Sequence, residues 1–347
     1  MRNDRRSRTF VLAFVLPVLL FTIAFGALSL FLEPVEGGMT RLGHWSERDF
    51  GWHHAQPAIP YRANGRDVKA PTVLVLGDSF TRANIWQSFL SADAGEVLSY
   101  HYPDVGCIGN WVKWALGKPF ASTDTIVVQT VERELVSRFA SIEICAKLVP
   151  KPFEMVSGTV LPKRFYFPPT MDAEFIWRTA VNSFHMQPDS PRIVSGKVIN
   201  VPLTTAKLFS NLESGRILFY RNDELKNGWT EEHLQATARN LKSLQDRFEK
   251  AGMHFLIVVI PDKSTVYGPY FAAAQPENKY AQEMKAFAAQ AVNTIDLLTP
   301  FQAQLPGFVD LYSPNDSHLS VEGYRFLGEI IERQLLAQRG HVVHELK

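Results

Sequence analysis

The hydrophobic pattern of the chain changes character three times. Residues 10–32 are almost unbroken apolar sequence with no charged side chain, and as a helix they would extend roughly 34 Å, enough for a bilayer core. Later come short apolar runs at Val73–Leu76, Val97–Tyr102, Asp124–Thr130 and Phe255–Ile260, with a shorter one at Thr294–Leu297. Their length and composition suit strands covered on both faces. Between them apolar residues recur at steps of three and four. Leu234, Ala238, Leu241, Leu244 and Phe248 predict a helix over 230–250, and Phe326, Leu327, Ile330, Ile331 and Leu335 predict one over 321–338. Thr230, followed by Glu231 and Glu232, is a suitable N-cap, and Gly252 a suitable stop. Helices are also expected over Arg82–Ala92 and Asn278–Ala291. Strands alternating with helices define an α/β domain with a five-stranded parallel sheet and helices on both faces.

Charge orients the first run. Arg2, Arg5, Arg6 and Arg8 precede it, and Glu33 and Glu36 follow. The positive-inside bias therefore makes 1–9 a cytoplasmic tail and 10–32 a transmembrane anchor, with everything beyond it outside. A cleaved signal peptide is the alternative, but its apolar region is usually about 7–15 residues, shorter than this one. Residues 33–70, rich in Gly, Pro, His and Arg, read as a linker and lead-in, and 71–340 as the main domain. Residues 147–227 break the alternation with Pro150, Pro152, Pro162, Pro168, Pro169, Pro188, Pro191 and Pro202. This stretch is expected to be an insertion with a few helices beside the site. Its aromatics would line a groove for sugar faces or form a small core of their own. A length of 347 residues with a net charge of +1 and no basic stripe excludes a nucleic-acid role. Cys107 and Cys145 could pair in an oxidising compartment or remain as two buried thiols.

The candidate chemistry lies at the two ends of this pattern. Val73–Leu76 runs into Gly77-Asp78-Ser79-Phe80, which places Ser79 where a parallel strand hands over to a helix. Ligands bind at the carboxyl ends of such strands, and a hydroxyl there has the position of a nucleophile, although an ordinary cap serine would read the same way. Near the other end, Asp316-Ser317-His318-Leu319 puts a carboxylate and an imidazole in one polar loop before the last helix. A serine nucleophile needs a base, and the base needs an anionic partner to fix its tautomer. Asp316 and His318 supply both if their loop folds over Ser79.

These two blocks resemble the first and last blocks of the SGNH (GDSL-type) hydrolases and acyltransferases. Val127–Leu135 and Ile260–Tyr267 are similar to segments of the alginate O-acetyltransferase-like branch, whose members modify polysaccharides outside the cytoplasm. The resemblance covers about 71–338. It implies a flavodoxin-like three-layer sandwich and a triad of Ser79, His318 and Asp316. It also implies an oxyanion hole from the N–H groups of Ser79 and Gly109, with Gly106 second by spacing and Asn110 a further donor. Glycine suits close backbone approach to a substrate. Many of these enzymes carry Gly-x-Asn-Asp after the third strand. Here Thr130-Val131-Glu132-Arg133 stands instead, so Arg133 is either a donor or half of an ion pair with Glu132. Asp78, Arg133, Lys263 and Tyr267 are candidates for substrate contact. No metal or cofactor is expected. The implied partners are a polysaccharide acceptor and a membrane-embedded acyl-donor protein. The implied activity is O-acetyl transfer in a bacterial periplasm from an inner-membrane anchor. A polysaccharide O-acetyl esterase and a noncatalytic polysaccharide-binding scaffold are the alternatives.

Overall fold

The computed structural model describes residues 2–31, 35–142, 149–162, 173–187, 190–273 and 278–340. Its first element is a helix, Arg2–Phe31. Residues Arg8–Ala27 of it have a mean hydropathy of 2.6 and bury nothing inside the protein. By length and composition this helix can cross a membrane, as a single-pass anchor or as a signal sequence.

Strands are numbered in chain order. β1 (Ile59–Tyr61) pairs antiparallel with β5 (Gly158–Val160). The core of the fold is a parallel sheet of β2 (Val73–Gly77), β3 (Val97–His101), β4 (Thr125–Val131) and β9 (His254–Ile260). The strands lie in the order β3-β2-β4-β9. That is the start of a flavodoxin-like order. Every residue of β2 and β4 is buried, which explains why these segments read as continuous apolar runs rather than alternating ones. Val73 aligns with both Val97 and Thr125, and Thr125 aligns with His254.

The sheet has four strands among the described residues, not five. The expected fifth, Thr294–Leu297, is reduced to a single parallel bridge from Thr294 to Ile257. Its pairing stops because Asp296 turns the chain into the next helix, accepting from the N–H groups of Leu298 and Thr299. The helix expected over Arg82–Ala92 is also different. Two single turns, Ser79–Arg82 and Ile85–Ser88, are broken at Asn84, whose φ of 56° is left-handed. Asn84 is held there by a hydrogen bond from Nδ2 to the Arg62 carbonyl.

The helix Glu231–Lys250 begins with a capping box between Thr230 and His233 and packs against Ile108–Leu116 and Lys279–Ala289. The last helix, Val321–Gln338, packs on Ile85–Ser88. A side chain at Gly328 would lie 2.8 Å from the Trp86 carbonyl, so the two elements meet backbone to backbone. Within 147–227 the described residues carry β5, the α-helix Ala173–His185, a three-stranded antiparallel sheet and most of a 3-10 helix, Arg221–Gly228. That sheet consists of β6 (Ile193–Ser195), β7 (Val198–Pro202) and β8 (Arg216–Tyr220). The stretch expected to be an insertion with a few helices therefore carries strands as well as helices. Cys107 is disulfide-bonded, while Cys145 lies outside the described residues.

Candidate active site

The Ser79 turn is fixed from below by side chains of neighbouring strands. Gly77 must be glycine there, because a Cβ would lie 2.1 Å from Thr81 Oγ1 and 2.6 Å from Gln129 Oε1. Gln129, on β4, accepts hydrogen bonds from the Asp78 N–H and the Thr81 hydroxyl. Asp78 caps the following turn by accepting from the Phe80 N–H at 3.0 Å. Its other oxygen accepts from the Val131 N–H at 2.7 Å and from Arg138 at 3.0 Å. Asp78 is thus a buried support for the turn. Its expected role as a substrate contact is corrected, since its carboxylate is fully occupied in bracing β2 against β4. Ser79 itself is exposed.

The distant loop reaches this turn. His318 Nε2 lies 2.8 Å from Ser79 Oγ, and His318 Nδ1 lies 2.6 Å from Asp316 Oδ1. The same carboxylate oxygen accepts from the His318 backbone N–H at 3.0 Å, and the other oxygen accepts from the Gly38 N–H at 2.8 Å. Burial alone would raise the Asp316 carboxyl, but the facing imidazolium and these donors hold it well below the usual carboxylate range. For His318, burial pulls downward. The Asp316 charge and hydrogen bond outweigh it, so the imidazole titrates above its ordinary value. The ring also packs on Phe80, centroid to centroid 4.8 Å.

Lys263 and Tyr267 do not face a substrate. Lys263 is 1% exposed, and its Nζ donates to the carbonyls of Ser313, Pro314 and Asp316 at 2.7, 3.0 and 3.1 Å. The Tyr267 hydroxyl accepts from the Tyr312 N–H at 3.2 Å. Both residues lie beneath the Asp316–His318 loop and support it, which corrects their expected role. The Ile260–Tyr267 segment bears on the site because the helical turn that follows Asp262 carries Lys263, whose amine reaches that loop.

Arg133 is also a structural residue, though not through Glu132. It pairs with Asp262 at 2.6 Å and Asp223 at 3.3 Å, while Glu132 pairs with Lys226 at 2.9 Å. Glu132 also accepts from the Asp262 N–H and the Thr265 hydroxyl. Together these groups tie the ends of β4 and β9 to the segment after β8. These ion pairs give Arg133 a structural role, and its charge also bears on His318, whose titration it pulls downward.

The Ser79 cavity has a volume of about 680 Å³. Its walls include Trp52, Tyr61, Arg82, Met155, Asp316 and His318. Gly106, Gly109 and Asn110 are not among its lining residues. Gly109 sits in the first turn of the helix Ile108–Leu116 and lines a separate cavity with Lys113, Asn240 and Arg247. Asn110 Nδ2 donates to the Val105 carbonyl within its own loop, and Gly106 is exposed with φ 77°. The helix Ile108–Leu116, which carries Gly109 and Asn110, packs against Glu231–Lys250. The expected donor that remains at the site is the Ser79 N–H, at the first position of a helical turn, where no intrahelical partner exists.

A further support was not legible beforehand. Glu47 accepts from the N–H groups of Glu36 and Gly37, from the Thr40 hydroxyl and from Asn315 Nδ2. It therefore ties the 36–40 segment, read from sequence as a linker, to the triad loop. The adjacent pair Gly37-Gly38 was the only hint of close approach.

A parallel sheet with a Ser-His-Asp line at its carboxyl edge is the architecture of an SGNH-like α/β domain. In agreement, residues 216–345 match the family described as SGNH hydrolase-like domain, acetyltransferase AlgX. The match takes in β8, β9, the Asp316–His318 loop and the last helix, and begins after Ser79. The match suggests an acyltransferase- or hydrolase-type activity at that level. No curated protein matches the chain.

Proposed function

We propose that the chain is a serine-dependent O-acyltransferase working outside the cytoplasm, which O-acetylates a cell-surface or secreted polysaccharide through an acyl-Ser79 intermediate. The hydrogen-bonded line from Asp316 through His318 to Ser79 carries this reading. Neutral His318, with Nδ1–H directed at Asp316, takes the Ser79 proton on Nε2 as Oγ attacks the acyl carbonyl. The proton then passes to the leaving oxygen. In the second half, His318 removes a proton from a sugar hydroxyl, which attacks the acyl-serine and frees Ser79. The Ser79 N–H contributes to binding the oxyanion, and one such donor is worth about 3–4 kcal/mol of barrier. The apolar first helix supports a single-pass inner-membrane anchor with the domain in the periplasm. The donor would then be a membrane-embedded acyl-donor protein.

Esterase action on the same polymer is the second reading, favoured by the exposure of Ser79 to solvent. The test is turnover of a nitrophenyl acetate with and without oligosaccharide acceptors. Transfer to sugar outrunning hydrolysis supports the transferase, and hydrolysis indifferent to acceptor supports the esterase. Wild-type turnover by Ser79→Ala or His318→Ala, each still folded, would remove the triad from either reading.

A further inference from the structure

The segment that leaves the apolar helix ends inside the candidate site. Gly38 N–H donates to Asp316 Oδ2 at 2.8 Å, and Met39 N–H donates to the Asn315 carbonyl at 2.8 Å. Glu47 clamps both partners, accepting from the N–H groups of Glu36 and Gly37 on one side and from the Asn315 amide on the other. The fit leaves no room for side chains. A Cβ at Gly37 would lie 2.2 Å from the Asn315 carbonyl oxygen, and one at Gly38 2.7 Å from Asp316 Oδ2. His318 holds one oxygen of Asp316, with ring and backbone, and Gly38 holds the other.

We infer that Gly38 is a positioning residue of the triad: its N–H fixes the second oxygen of Asp316, so that the stretch at the foot of the membrane helix is a built-in part of the active site. The inference rests on the acyl-serine reading above. One consequence is spatial. Gly38 lies seven residue steps beyond Phe31, the end of the helix, and a fully extended chain of that length reaches at most about 25 Å. The triad therefore works close to the membrane surface, on substrate that reaches that layer.

The test compares Gly38→Ala and Gly38→Pro in the full chain. Alanine keeps the donor and adds a methyl group that crowds Asp316. Proline removes the donor. Its backbone requirement is met, because Gly38 is the first residue of a helix and Gly37 before it has ψ 148°. Loss of a hydrogen bond to a charged group corresponds to roughly 10- to 100-fold in rate. We expect kcat on nitrophenyl acetate to fall about tenfold in the alanine variant and at least 100-fold in the proline variant, with KM within threefold. The low-field proton resonance of His318 Nδ1–H should shift in the first and vanish in the second. Wild-type kcat with an unshifted resonance in folded Gly38→Pro would overturn the inference. The same result in Gly38→Ala would overturn it should proline prevent folding. If the wild type turns over no ester while the resonance still responds to both substitutions, the positioning role stands and the acyl-serine reading falls.

Discussion

Lys263→Met tests whether the triad loop is held from beneath. Methionine keeps the apolar stem and removes only the amine, whose Nζ lies 5.0 Å from the Phe209 ring centre. The Ser313 and Pro314 carbonyls then lose a buried donor, and the Asp316 carbonyl a partly buried one. Each buried acceptor left unpaired costs about 1–3 kcal/mol, and release from burying an ammonium offsets part of this, so a net loss of about 2–3 kcal/mol is expected. A loop displacement near 1 Å would lower kcat by roughly 100-fold. Burial pulls Lys263 from 10.5 down to about 7. Between those values the unfolded chain holds a proton that the folded chain has released. Wild-type stability should therefore rise with pH across that window, and the variant should lack this slope. Urea unfolding at several pH values and ester turnover read both effects. Stability within about 0.5 kcal/mol of wild type, with unchanged kcat and an unchanged pH slope, would refute the reasoning.

Asp316→Asn should lower kcat by roughly 10⁴-fold by favouring the wrong His318 tautomer; activity within tenfold of wild type would exclude Asp316 as the orienting group. In the wild type, a base whose pKa is raised loses its proton late, so the acid limb of kcat/KM should lie above pH 6.5, the ordinary imidazole value. A limb below that value would contradict the Asp316–His318 geometry. Arg133→Ala leaves Asp223 and Asp262 short of a cation in a buried setting and should cost about 3–5 kcal/mol in denaturant unfolding. Turnover per folded molecule should change little, and a selective rise in KM at unchanged stability would return Arg133 to substrate binding.

The parallel strands were legible because burial on both faces leaves no polar alternation to misread. The hydrogen-bonded line of Ser79, His318 and Asp316 was legible because Ser79 and the Asp316–His318 pair each lie beside a recognisable boundary, a strand end and a helix start. Charged and tyrosine residues in the cleft were misread. Lys263, Arg133, Tyr267 and Asp78 occur near the sheet edge in sequence, but sequence does not show whether such a group faces the cavity or a carbonyl beneath it. The fifth strand failed on a local competition, in which the side chain of Asp296 starts a helix before pairing can extend. The 36–47 segment was missed because its role is carried by backbone N–H groups and by one carboxylate 10 or 11 residues away, a pairing that leaves no periodic trace.

Ser79 and His318 are 239 positions apart in sequence. Closing so long a loop comes late in folding, after local helices and hairpins have formed. A chain made from its N-terminus has its serine turn long before the matching base exists. On the proposed acyl-serine reading, Ser79 is inert on nascent or partly folded chains and gains its reactivity only when the loop before the final helix docks. Reactivity toward a serine-directed covalent probe would then report complete folding, from the first residues of the sheet to the last helix.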